Sequence, residues 1–565
     1  MISSGAAKQA PQTGHKSEDG MSMINNVAGK IFLYGPPLSG KSTIGRHLAE
    51  SLALPFLDLD NIIENQSGMA IPEIFAAEGE VGFRARERAE LISVLEMDWG
   101  VIALGGGTLL DPRNRAQVEA AGSVLCLSAP DKELLLRLQT ASDQRPLLSE
   151  KDDGTMTGSR LKGLLADRAS HYASFAGQLA TESKSPPEVA WEAQVQTGAF
   201  HVSGMVPQRN TLDSPIGNPP RPHPLGYDVR IKQGSLDSLG NELKLHNMPG
   251  PTAVVCDENV GEIYLHRTLK SLQEAGYTSQ PIIFPPGESS KNITTISTLW
   301  EKLLAAGIER GSTVVALGGG VVGDLSGFAA ATYMRGISWV ILPTSLLAMV
   351  DASLGGKTGA DLPQGKNLVG AFHAPHFVLV DPKTLDSLPS EEVKSGMAEV
   401  VKAGIIGDPA LYEICSQGWA MLDSNWDEIV CRAMAVKIQV IESDPYEAGL
   451  RKVLNLGHTI GHAVELVSDF NLRHGEAVAI GMVAEAYLAE RIGLADQGLA
   501  KEIKRTLSGL GLPTEIPSGF KRQAILDAIL VDKKRSGGQA RFALPVRVGE
   551  VKQDIVVEDL ATLLF

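Results

Sequence analysis

The chain has 565 residues, too many for one hydrophobic core, and its length alone predicts about three or four domains. Its formal net charge of −15 argues against nucleic acid or an anionic membrane as a partner, so local basic clusters would have to hold any anionic substrate. The four cysteines include no C-x-x-C pair, which argues against a disulfide scaffold or thiolate zinc site and fits a reducing cytoplasm.

The first 26 residues are small and polar and show no apolar periodicity, so we expect a disordered tail. They contain no apolar signal-peptide core. No apolar run in the chain reaches the ~20 residues that a membrane-spanning helix needs. Order is predicted to begin with a short strand at 30–34.

The first motif that carries chemistry is GPPLSGKS at 35–42, which fits the pattern G-x-x-x-x-G-K-[ST]. It lies between the predicted strand and a predicted helix at 41–52, the setting in which this motif cradles phosphates. Its glycines let backbone N–H groups approach phosphate oxygens, and the helix N-terminus favours their negative charge. We expect Lys41 to reach the β- and γ-phosphates and Ser42 to ligate magnesium.

The next segments suit a small phosphate acceptor. Asp58 and Asp60 are expected to point the same way on an extended segment, one towards magnesium and the other towards a hydroxyl group. Arg84 is a planar partner for a carboxylate. The glycine string at 105–107 allows close backbone approach to a ligand, and Arg145 lies in a polar stretch expected to form a mobile lid.

In combination, residues 26–196 resemble shikimate kinase through GPPLSGKST, FLDLDNIIE, GMAIPEIFAAEGEVGFR, LGGGT and RPLL, in that order. The resemblance implies phosphorylation of the shikimate 3-hydroxyl by ATP with Mg²⁺, with Asp60 as the base and Arg145 as a catalytic residue. The implied ATP-binding residues are Gly35, Ser39, Gly40, Lys41, Ser42, Thr43, Arg145 and Arg168. The implied shikimate-binding residues are Asp60, Arg84, Gly106, Gly107 and Arg145, and the implied magnesium ligands are Ser42 and Asp58.

Composition and pattern divide the chain. Residues 27–196 form the first predicted unit, and 197–224, with six prolines, are predicted to be a linker because proline removes ladder donors and favours extended backbone. Short β-branched runs at 252–256, 281–284, 313–317 and 339–342 alternate with helical patterns, which predicts a parallel α/β unit over 225–389. Helical patterns dominate over 390–565. The predicted fold class is α/β, a P-loop domain joined to a Rossmann-like domain and a mostly helical one.

A second glycine string indicates a dinucleotide. Gly318, Gly319 and Gly320 follow a predicted strand, and Asp324 lies near the next helix start. This pattern is a weak signal alone. It gains weight from the segment DEN at 257–259, which suits ribose hydroxyls after an earlier strand, and from PGESSK at 286–291.

A polar stripe indicates an active-site wall. Its members, spaced 4, 3 and 4 residues apart on one face of a predicted helix, are Arg451, Asn455, His458 and His462. The residues between them are mostly apolar, unlike a solvated helix face.

Two histidines and a carboxylate form a candidate metal set. Glu399, His458 and His474 suit zinc with an open coordination position. Basic residues near them in sequence suggest a clamp for a phosphate and a carboxylate: Lys357, Lys366, Lys402, Lys437, Arg451 and Lys533.

From about residue 226 to 565 the chain resembles 3-dehydroquinate synthase, through PPGESSK, ALGGGVVGDLSGFAAATYMRG, PTSLLAMVDASLGGKTGADLPQGKNLVGAFHAP, GMAEVVKAGII, LNLGHTIGHAVE and RHGEAVAIGM. The resemblance implies conversion of 3-deoxy-D-arabino-heptulosonate 7-phosphate to 3-dehydroquinate and phosphate, with a bound NAD that is restored in each cycle and with Zn²⁺ or Co²⁺ on Glu399, His458 and His474. It also implies a homodimer, with Arg335 reaching across the interface.

The residues that this resemblance assigns fall into two sets. The implied NAD-binding residues are Asp257, Asn259, Glu288, Lys291, Gly319, Gly320, Asp324, Thr344 and Lys366. The implied substrate-binding residues are Arg335, Asp351, Lys357, Asn367, Lys402, Lys437, Arg451, Asn455, His462 and Lys533. Of the second set, Lys357, Lys402, Arg451, Asn455 and His462 are expected to be catalytic.

The preferred interpretation is a bifunctional enzyme of aromatic amino-acid biosynthesis whose two steps are not consecutive. A kinase fused to an NAD-dependent polyol dehydrogenase would explain the glycine string and the metal set, but not the basic clamp, Asn455 or His462. Another sugar-phosphate cyclase also stays open. A degenerate regulatory domain is disfavoured, because every motif position keeps a residue able to do its chemistry.

Overall fold

The structure is a computed structural model that describes residues 29–140, 158–203, 226–447, 449–535 and 540–564, with the side chains of 140 and 530–535 left out. The predicted tail at 1–26, the predicted lid residue Arg145 and most of the proline-rich segment lie outside the described residues. Within them, no helix has the length and apolar character needed to cross a membrane.

The first unit is built on a five-stranded sheet in the order β2-β3-β1-β4-β5, with every neighbouring pair parallel. Its strands are β1 Gly29–Tyr34, β2 Phe56–Asp58, β3 Trp99–Ala103, β4 Ser123–Ser128 and β5 Gly177–Ala180. Its helices are α1 Lys41–Ser51, α2 Leu59–Ser67, α3 Ile71–Leu95, α4 Pro112–Ala121, α5 Asp131–Thr140, α6 Gly158–Ala173 and α7 Pro186–Thr197. Strand β1 is buried throughout, because helices cover both faces of the sheet.

The chain passes from the first sheet to the second at Gly198. Helix α7 ends at Thr197, Gly198 caps it in the left-handed region at φ 59, and strand β6 (Ala199–Ser203) follows at once. Strand β6 pairs antiparallel with β7 (Gly226–Ile231), so it belongs to the second sheet. The predicted linker is therefore wrong over 199–203. The first proline of the segment is Pro207, and Ala199, Phe200 and Val202 before it are buried in an edge strand.

The second sheet has seven strands in the order β6-β7-β14-β11-β10-β8-β9, and all its pairs except β6-β7 are parallel. The remaining strands of this sheet are β8 Thr252–Asp257, β9 Ser279–Phe284, β10 Thr313–Gly318, β11 Ser338–Pro343 and β14 Phe377–Val380. Two hairpins lie outside it, β12 Lys357–Leu362 with β13 Gly365–Phe372, and β15 Arg541–Arg547 with β16 Glu550–Val556. The four predicted strands of the α/β unit are all present, whereas the β15-β16 hairpin was not predicted.

The helices around the second sheet are α8 Leu239–Leu245, α9 Glu258–Val260, α10 His266–Glu274, α11 Ile293–Ala305 and α12 Gly320–Thr332. The helices of the last part are α13 Ser390–Gly407, α14 Pro409–Ser416, α15 Trp419–Leu422, α16 Trp426–Ser443, α17 His458–Val467, α18 His474–Arg491, α19 Leu499–Gly509, α20 Arg522–Arg535 and α21 Leu560–Leu564. The predicted α/β class, with a P-loop unit, a Rossmann-like unit and a helical part, is confirmed.

Helix α7 of the first unit packs against α16 of the second through one buried guanidinium. Arg432, 7% exposed, lies 3.4 Å from Glu192 of α7, 3.1 Å from Asp408 and 2.8 Å from Glu428. Its guanidinium also lies over the Trp191 ring, 5.6 Å from the centroid. A buried cation needs such partners, because an unpaired one would be costly.

Candidate active sites

The phosphate loop connects β1 to α1 in the conformation that the motif requires. Gly35 has φ 130, and a Cβ there would lie 2.4 Å from the Leu127 carbonyl oxygen. Gly40, at φ 94, precedes the first residue of α1. The buried Ser39 hydroxyl donates to the Pro36 carbonyl at 2.8 Å, and Lys41 Nζ donates to the same carbonyl at 2.8 Å. The Lys41 side chain therefore folds back over the phosphate loop, where its ammonium group can contact a bound phosphate.

The two predicted magnesium ligands are in contact. Ser42 Oγ donates to Asp58 Oδ2 at 2.6 Å, so a hydroxyl and a carboxylate meet beside the phosphate loop. These oxygen donors suit a hard cation such as magnesium. The expectation that Asp58 and Asp60 share an extended segment is wrong, because Asp58 ends β2 and caps helix α2, where Asp60 occupies the first turn.

The acceptor side is organised around Arg84 and the glycine string. Arg84 Nη1 donates to the buried Glu87 carboxylate at 2.6 Å, and Glu87 also accepts from the Thr108 hydroxyl at 2.6 Å. A Cβ on Gly107 would lie 2.6 Å from Arg84 Nη2, so glycine lets the guanidinium lie against the backbone. Glu87 was not predicted, although its i+3 spacing from Arg84 was a usable signal.

Three donors converge on the carbonyl oxygen of Gly106. Tyr172 Oη donates at 2.7 Å, Tyr34 Oη at 3.2 Å and Arg168 Nη1 at 3.2 Å. The guanidinium of Arg168, which was predicted to bind the nucleotide, lies at the acceptor loop. Helix α6 carries both Tyr172 and Arg168 one turn apart, which aims both side chains at the same loop.

One cavity of about 840 Å³ joins the two sides. The predicted residues that line it are Gly40, Lys41, Ser42, Thr43, Asp58, Asp60, Arg84, Gly106, Gly107 and Arg168. A nucleotide and a small acceptor can therefore meet in one open cleft, whose volume is in the range of small-molecule sites.

In the second unit, the carboxyl ends of three neighbouring strands carry predicted nucleotide residues. Asp257 ends β8 and caps α9, Gly318 ends β10, and Thr344 follows β11 and donates its N–H to the Gly318 carbonyl at 3.0 Å. Gly319 and Gly320 open helix α12 directly after β10. Parallel strands place these ends at one edge of the sheet, where α/β proteins bind ligands. Asn259, in α9, is exposed.

An ion-pair network joins the two predicted sets at this edge. Lys291 Nζ lies 2.6 Å from Asp324 Oδ2 and donates to Asn367 Oδ1 at 2.6 Å. Lys366 Nζ lies 3.6 Å from Glu288 Oε1 and 3.1 Å from Glu465 Oε1. Nucleotide-side and substrate-side residues are therefore in direct contact.

The candidate metal ligands come from three helices. Glu399 lies in α13 and is 3% exposed, while His458 and His474 are the first residues of α17 and α18. The Nε2 atoms of His458 and His474 lie 3.6 Å and 3.5 Å from Glu399 Oε1. That oxygen is buried and accepts no hydrogen bond from the residues that the structure describes.

These distances fit a divalent ion. Ligand atoms bound at ~2.1 Å to a tetrahedral zinc ion lie about 3.4 Å apart, close to the observed separations. His458 Nδ1 lies 3.1 Å from the Leu456 carbonyl oxygen, and His474 Nδ1 lies 3.7 Å from Glu465 Oε2. The Leu456 carbonyl favours the His458 tautomer that leaves Nε2 free to bind metal, and the Glu465 carboxylate faces Nδ1 of His474. Glu465 was not predicted, although it follows His458 by two helical turns.

Burial and neighbouring charge set the protonation of the three ligands. Burial and the nearby Lys402 ammonium lower the pKa of His458 to about 3, which keeps it neutral. Burial lowers the pKa of His474, but Glu399 and Glu465 outweigh burial and raise it to about 9. Burial raises the pKa of Glu399, yet Lys402 and the histidines hold it well below its usual range. Two carboxylates, those of Glu399 and Glu465, thus face His474 and favour positive charge there.

Basic side chains surround the metal set in pairs with acids. Lys402 Nζ lies 2.5 Å from Glu399 Oε2 and donates to the Leu454 carbonyl at 2.8 Å. Lys437 Nζ contacts Asp351 Oδ1 at 2.5 Å, and its pKa is lowered by burial. Each basic side chain is therefore paired with an acid in a buried pocket, where ammonium groups can bind anionic substrate groups.

Two further cations of the clamp have different surroundings. Lys357 Nζ forms an ion pair with Glu447, a carboxylate that was not predicted because no periodic pattern includes it. Arg451 is buried and donates to the Pro445 carbonyl at 2.5 Å, and a Cβ on Gly355 would clash with its guanidinium.

The predicted continuous helix over the polar stripe is wrong. Arg451 and Asn455 lie on a short 3-10 segment, Leu450–Asn455, and α17 begins only at His458. Gly457 breaks the helix at φ 80. His458 and His462 still share a face, with ring centroids 5.1 Å apart, whereas Arg451 reaches the Gly355 side of the pocket.

Arg335, Asn455 and Lys533 are not placed in the site by the described side chains, and Asn455 is exposed. Arg335 is exposed, in the left-handed region at φ 70 after Met334 at φ 50. The backbone of Lys533 lies in α20, and its side chain is outside the description.

The two parts of the chain are similar to two different protein families. The family model for shikimate kinase matches residues 37–197, and those for the N-terminal and C-terminal parts of 3-dehydroquinate synthase match 281–395 and 396–535. A 3-dehydroquinate synthase from Synechococcus sp. is 44% identical over 334 residues, 58% of this chain and 91% of its own. Another from Symbiobacterium thermophilum is 44% identical over 331 residues, 58% of this chain and 92% of its own.

Two solved structures are similar to parts of the chain. A 2-deoxy-scyllo-inosose synthase, complexed with carbaglucose-6-phosphate, NAD⁺ and Co²⁺, has a TM-score of 0.55 and 27% identity, covering 60% of this chain and 95% of its own. A shikimate kinase from Acinetobacter baumannii in complex with shikimate is 36% identical over 30% of this chain and 92% of its own, with a TM-score of 0.28. The kinase assignment therefore depends on the family model and the sequence identity.

Fold, sites and comparisons define a fusion of two enzymes, a P-loop phosphotransferase and a carbon–oxygen lyase with a dehydroquinate synthase-like fold. The chain belongs to the shikimate kinase family in its first part and to the 3-dehydroquinate synthase family in its second. It is a bifunctional enzyme of the shikimate pathway.

Proposed function

We propose that the residues of the first cavity transfer the γ-phosphoryl group of ATP to the 3-hydroxyl of shikimate. The observation that carries this assignment is that phosphate-side and acceptor-side groups open into the same 840 Å³ space. Lys41 neutralises phosphate charge, and Ser42 with Asp58 would hold magnesium. Asp60 accepts the hydroxyl proton as the bond to phosphorus forms.

Two arginines hold the acceptor. Glu87 orients Arg84 by accepting a hydrogen bond from it, and Arg168 donates a hydrogen bond to the Gly106 carbonyl. Both guanidinium groups line the cavity. They suit the shikimate carboxylate, because hydrogen bonds between charged groups are stronger than those from neutral donors. Arg168 thereby takes an acceptor-binding role in place of the predicted nucleotide-binding role.

We propose that the second unit converts 3-deoxy-D-arabino-heptulosonate 7-phosphate to 3-dehydroquinate and phosphate. The Glu399, His458 and His474 set beside buried lysines carries this assignment. When bound, NAD supplies transient oxidation of a ring hydroxyl and a divalent metal polarises its oxygen. The predicted nucleotide residues at the carboxyl ends of β8, β10 and β11 would hold NAD.

The chain's own residues bind, orient and move protons. Lys357, Lys437 and Arg451 provide positive charge for the phosphate and carboxylate of the substrate. Glu447, in contact with Lys357, and His462, beside His458, are placed to accept protons during phosphate elimination and ring closure. Asn367 accepts a hydrogen bond from Lys291, which supports a position between the proposed nucleotide and substrate residues.

Assembly and boundaries are also proposals. We place the kinase unit at 27–198 and the synthase unit from 199, with its helical part from about 390. We propose a cytoplasmic homodimer formed through the synthase unit, with Arg335 presented by its left-handed backbone to the second protomer. The four buried free thiols are consistent with a reducing compartment. Sedimentation of the wild-type chain and Arg335→Ala would test the dimer.

The synthase assignment is tested by phosphate release from 3-deoxy-D-arabino-heptulosonate 7-phosphate with catalytic NAD. Release should stop with a chelator, return with zinc or cobalt, and leave no net NADH. Stoichiometric NADH from a simple polyol would instead support a dehydrogenase. ADP formation that depends on shikimate and is lost in Asp60→Asn, with unchanged phosphate release, would support the kinase assignment in the same preparation.

A further inference from the structure

Helix α17, which begins with His458, has no capping side chain of its own. Its N-cap residue is Gly457 at φ 80, so the free N–H groups of the first turn need another acceptor. The Glu485 carboxylate, on α18, accepts from Gly457 N at 2.5 Å and from Ile460 N at 3.3 Å. Glu485 is 0% exposed, so water does not compete for these bonds.

The two helix backbones are in close contact at this position. A Cβ on Gly481 would lie 1.9 Å from the Gly457 carbonyl oxygen, and one on Gly461 would lie 2.9 Å from the Ala477 carbonyl oxygen. The start of α17 therefore rests directly on the backbone of α18. Helix α18 itself begins at His474, so it supplies one candidate ligand and supports the helix that supplies another.

We propose that Glu485 is a positioning residue for the metal centre of the synthase unit. By accepting the first N–H groups of α17, it fixes the backbone from which His458 Nε2 faces Glu399 Oε1 at 3.6 Å. The inference depends on the proposed function, because it takes Glu399, His458 and His474 to be the metal ligands.

The same helix contains a matched control. Glu490, also on α18, accepts from Gly498 N and Ala500 N, both at 2.8 Å. Gly498, at φ 112, is the N-cap residue of α19 and likewise offers no side chain. Two glutamates on one helix thus cap two neighbouring helices in the same way, but α19 (Leu499–Gly509) contributes no candidate site residue.

The experiment compares Glu485→Met with Glu490→Met in the full-length chain. Zinc affinity is measured by competition with a chromogenic chelator, and circular dichroism with the kinase assay confirms folding. Changes to residues that orient metal ligands cost about 10- to 100-fold in metal affinity. We therefore expect Glu485→Met to bind zinc about tenfold more weakly than wild type, and Glu490→Met to bind zinc with wild-type affinity. At saturating zinc, the synthase kcat of Glu485→Met should recover while its apparent zinc requirement stays raised.

A conservative variant keeps the test decisive if Glu485→Met folds poorly. Glu485→Gln retains one acceptor oxygen for Gly457 N, so its zinc affinity should lie between those of wild type and Glu485→Met. Wild-type affinity in both Glu485 variants, or an equal loss in Glu490→Met, would overturn the positioning role. A wild-type chain that binds no zinc or cobalt would overturn the proposed metal function, and the inference with it.

Discussion

Replacing Glu87 by glutamine should weaken shikimate binding, because Glu87 orients Arg84 on the acceptor side of the kinase site. Glu87 is 1% exposed, and its two oxygens accept from Arg84 Nη1 and Thr108 Oγ1, both at 2.6 Å. A glutamine is nearly the same shape but has one acceptor oxygen, and its amide nitrogen would face a donor. Either Arg84 or the buried Thr108 hydroxyl must lose its partner.

The magnitude follows from these contacts. Changing a charge-assisted hydrogen bond to a neutral one costs about 1 kcal/mol, and leaving a buried donor unpaired costs about 1–3 kcal/mol. The kinase unit should therefore lose about 2–4 kcal/mol of unfolding free energy. Because Arg84 is no longer held against Gly107, KM for shikimate should rise about tenfold, with a smaller change in KM for ATP.

The assay is steady-state shikimate phosphorylation together with thermal unfolding. Glu80→Gln is the matched control, because Glu80 pairs with the same Arg84 at 3.4 Å but is 58% exposed, and exposed pairs contribute about 0–1 kcal/mol. Phosphate release by the synthase unit reports that the rest of the chain is intact. Equal effects of Glu87→Gln and Glu80→Gln, or an unchanged KM for shikimate, would refute the reasoning.

Three other changes have definite expected outcomes. Asp58→Asn should weaken magnesium binding by the kinase about 10- to 100-fold, because the charged carboxylate beside Ser42 is lost. A magnesium titration of kinase activity that matches wild type would contradict this. Gly107→Ala should raise KM for shikimate, since the new Cβ would lie 2.6 Å from Arg84 Nη2, whereas Gly163→Ala, at an open position, should leave it unchanged. Burial raises the pKa of Asp427 to about 6, above its usual value of about 4. Folding therefore favours the protonated side chain, and the free energy of unfolding falls as pH rises from about 4 through 6. Asp427→Asn should then raise the thermal midpoint at about pH 8 and change it little at about pH 4; a pH-independent shift would count against a buried charge.

Features that depend on short sequence motifs or regular spacing were predicted from the sequence. The phosphate loop, the four strands of the α/β unit and the metal set depend on short motifs or on regular spacing, and all are present. The polar stripe shows the limit of spacing. Its four residues fit one helix face, but Gly457 ends that helix, because packing of α17 on α18 requires backbone contact there.

What the sequence did not predict depends on contacts between distant segments. Arg168 lies at the acceptor loop because α6 crosses it, and Glu447 enters the synthase site through its pairing with Lys357. Glu485 caps a helix that precedes its own, across a separation of 28 residues. No periodicity along the chain contains such pairings, so only the folded arrangement reveals them.

The passage from α7 to β6 through Gly198 changes where the enzyme can be divided. The proline-rich segment is an obvious place to cut, yet a cut between 204 and 225 would leave β6, the edge strand of the synthase sheet, on the kinase fragment. The two fragments would stay associated through strand pairing and the Arg432 contacts. A synthase meant to fold alone should therefore begin at Ala199, and a kinase meant to be released should end at Gly198.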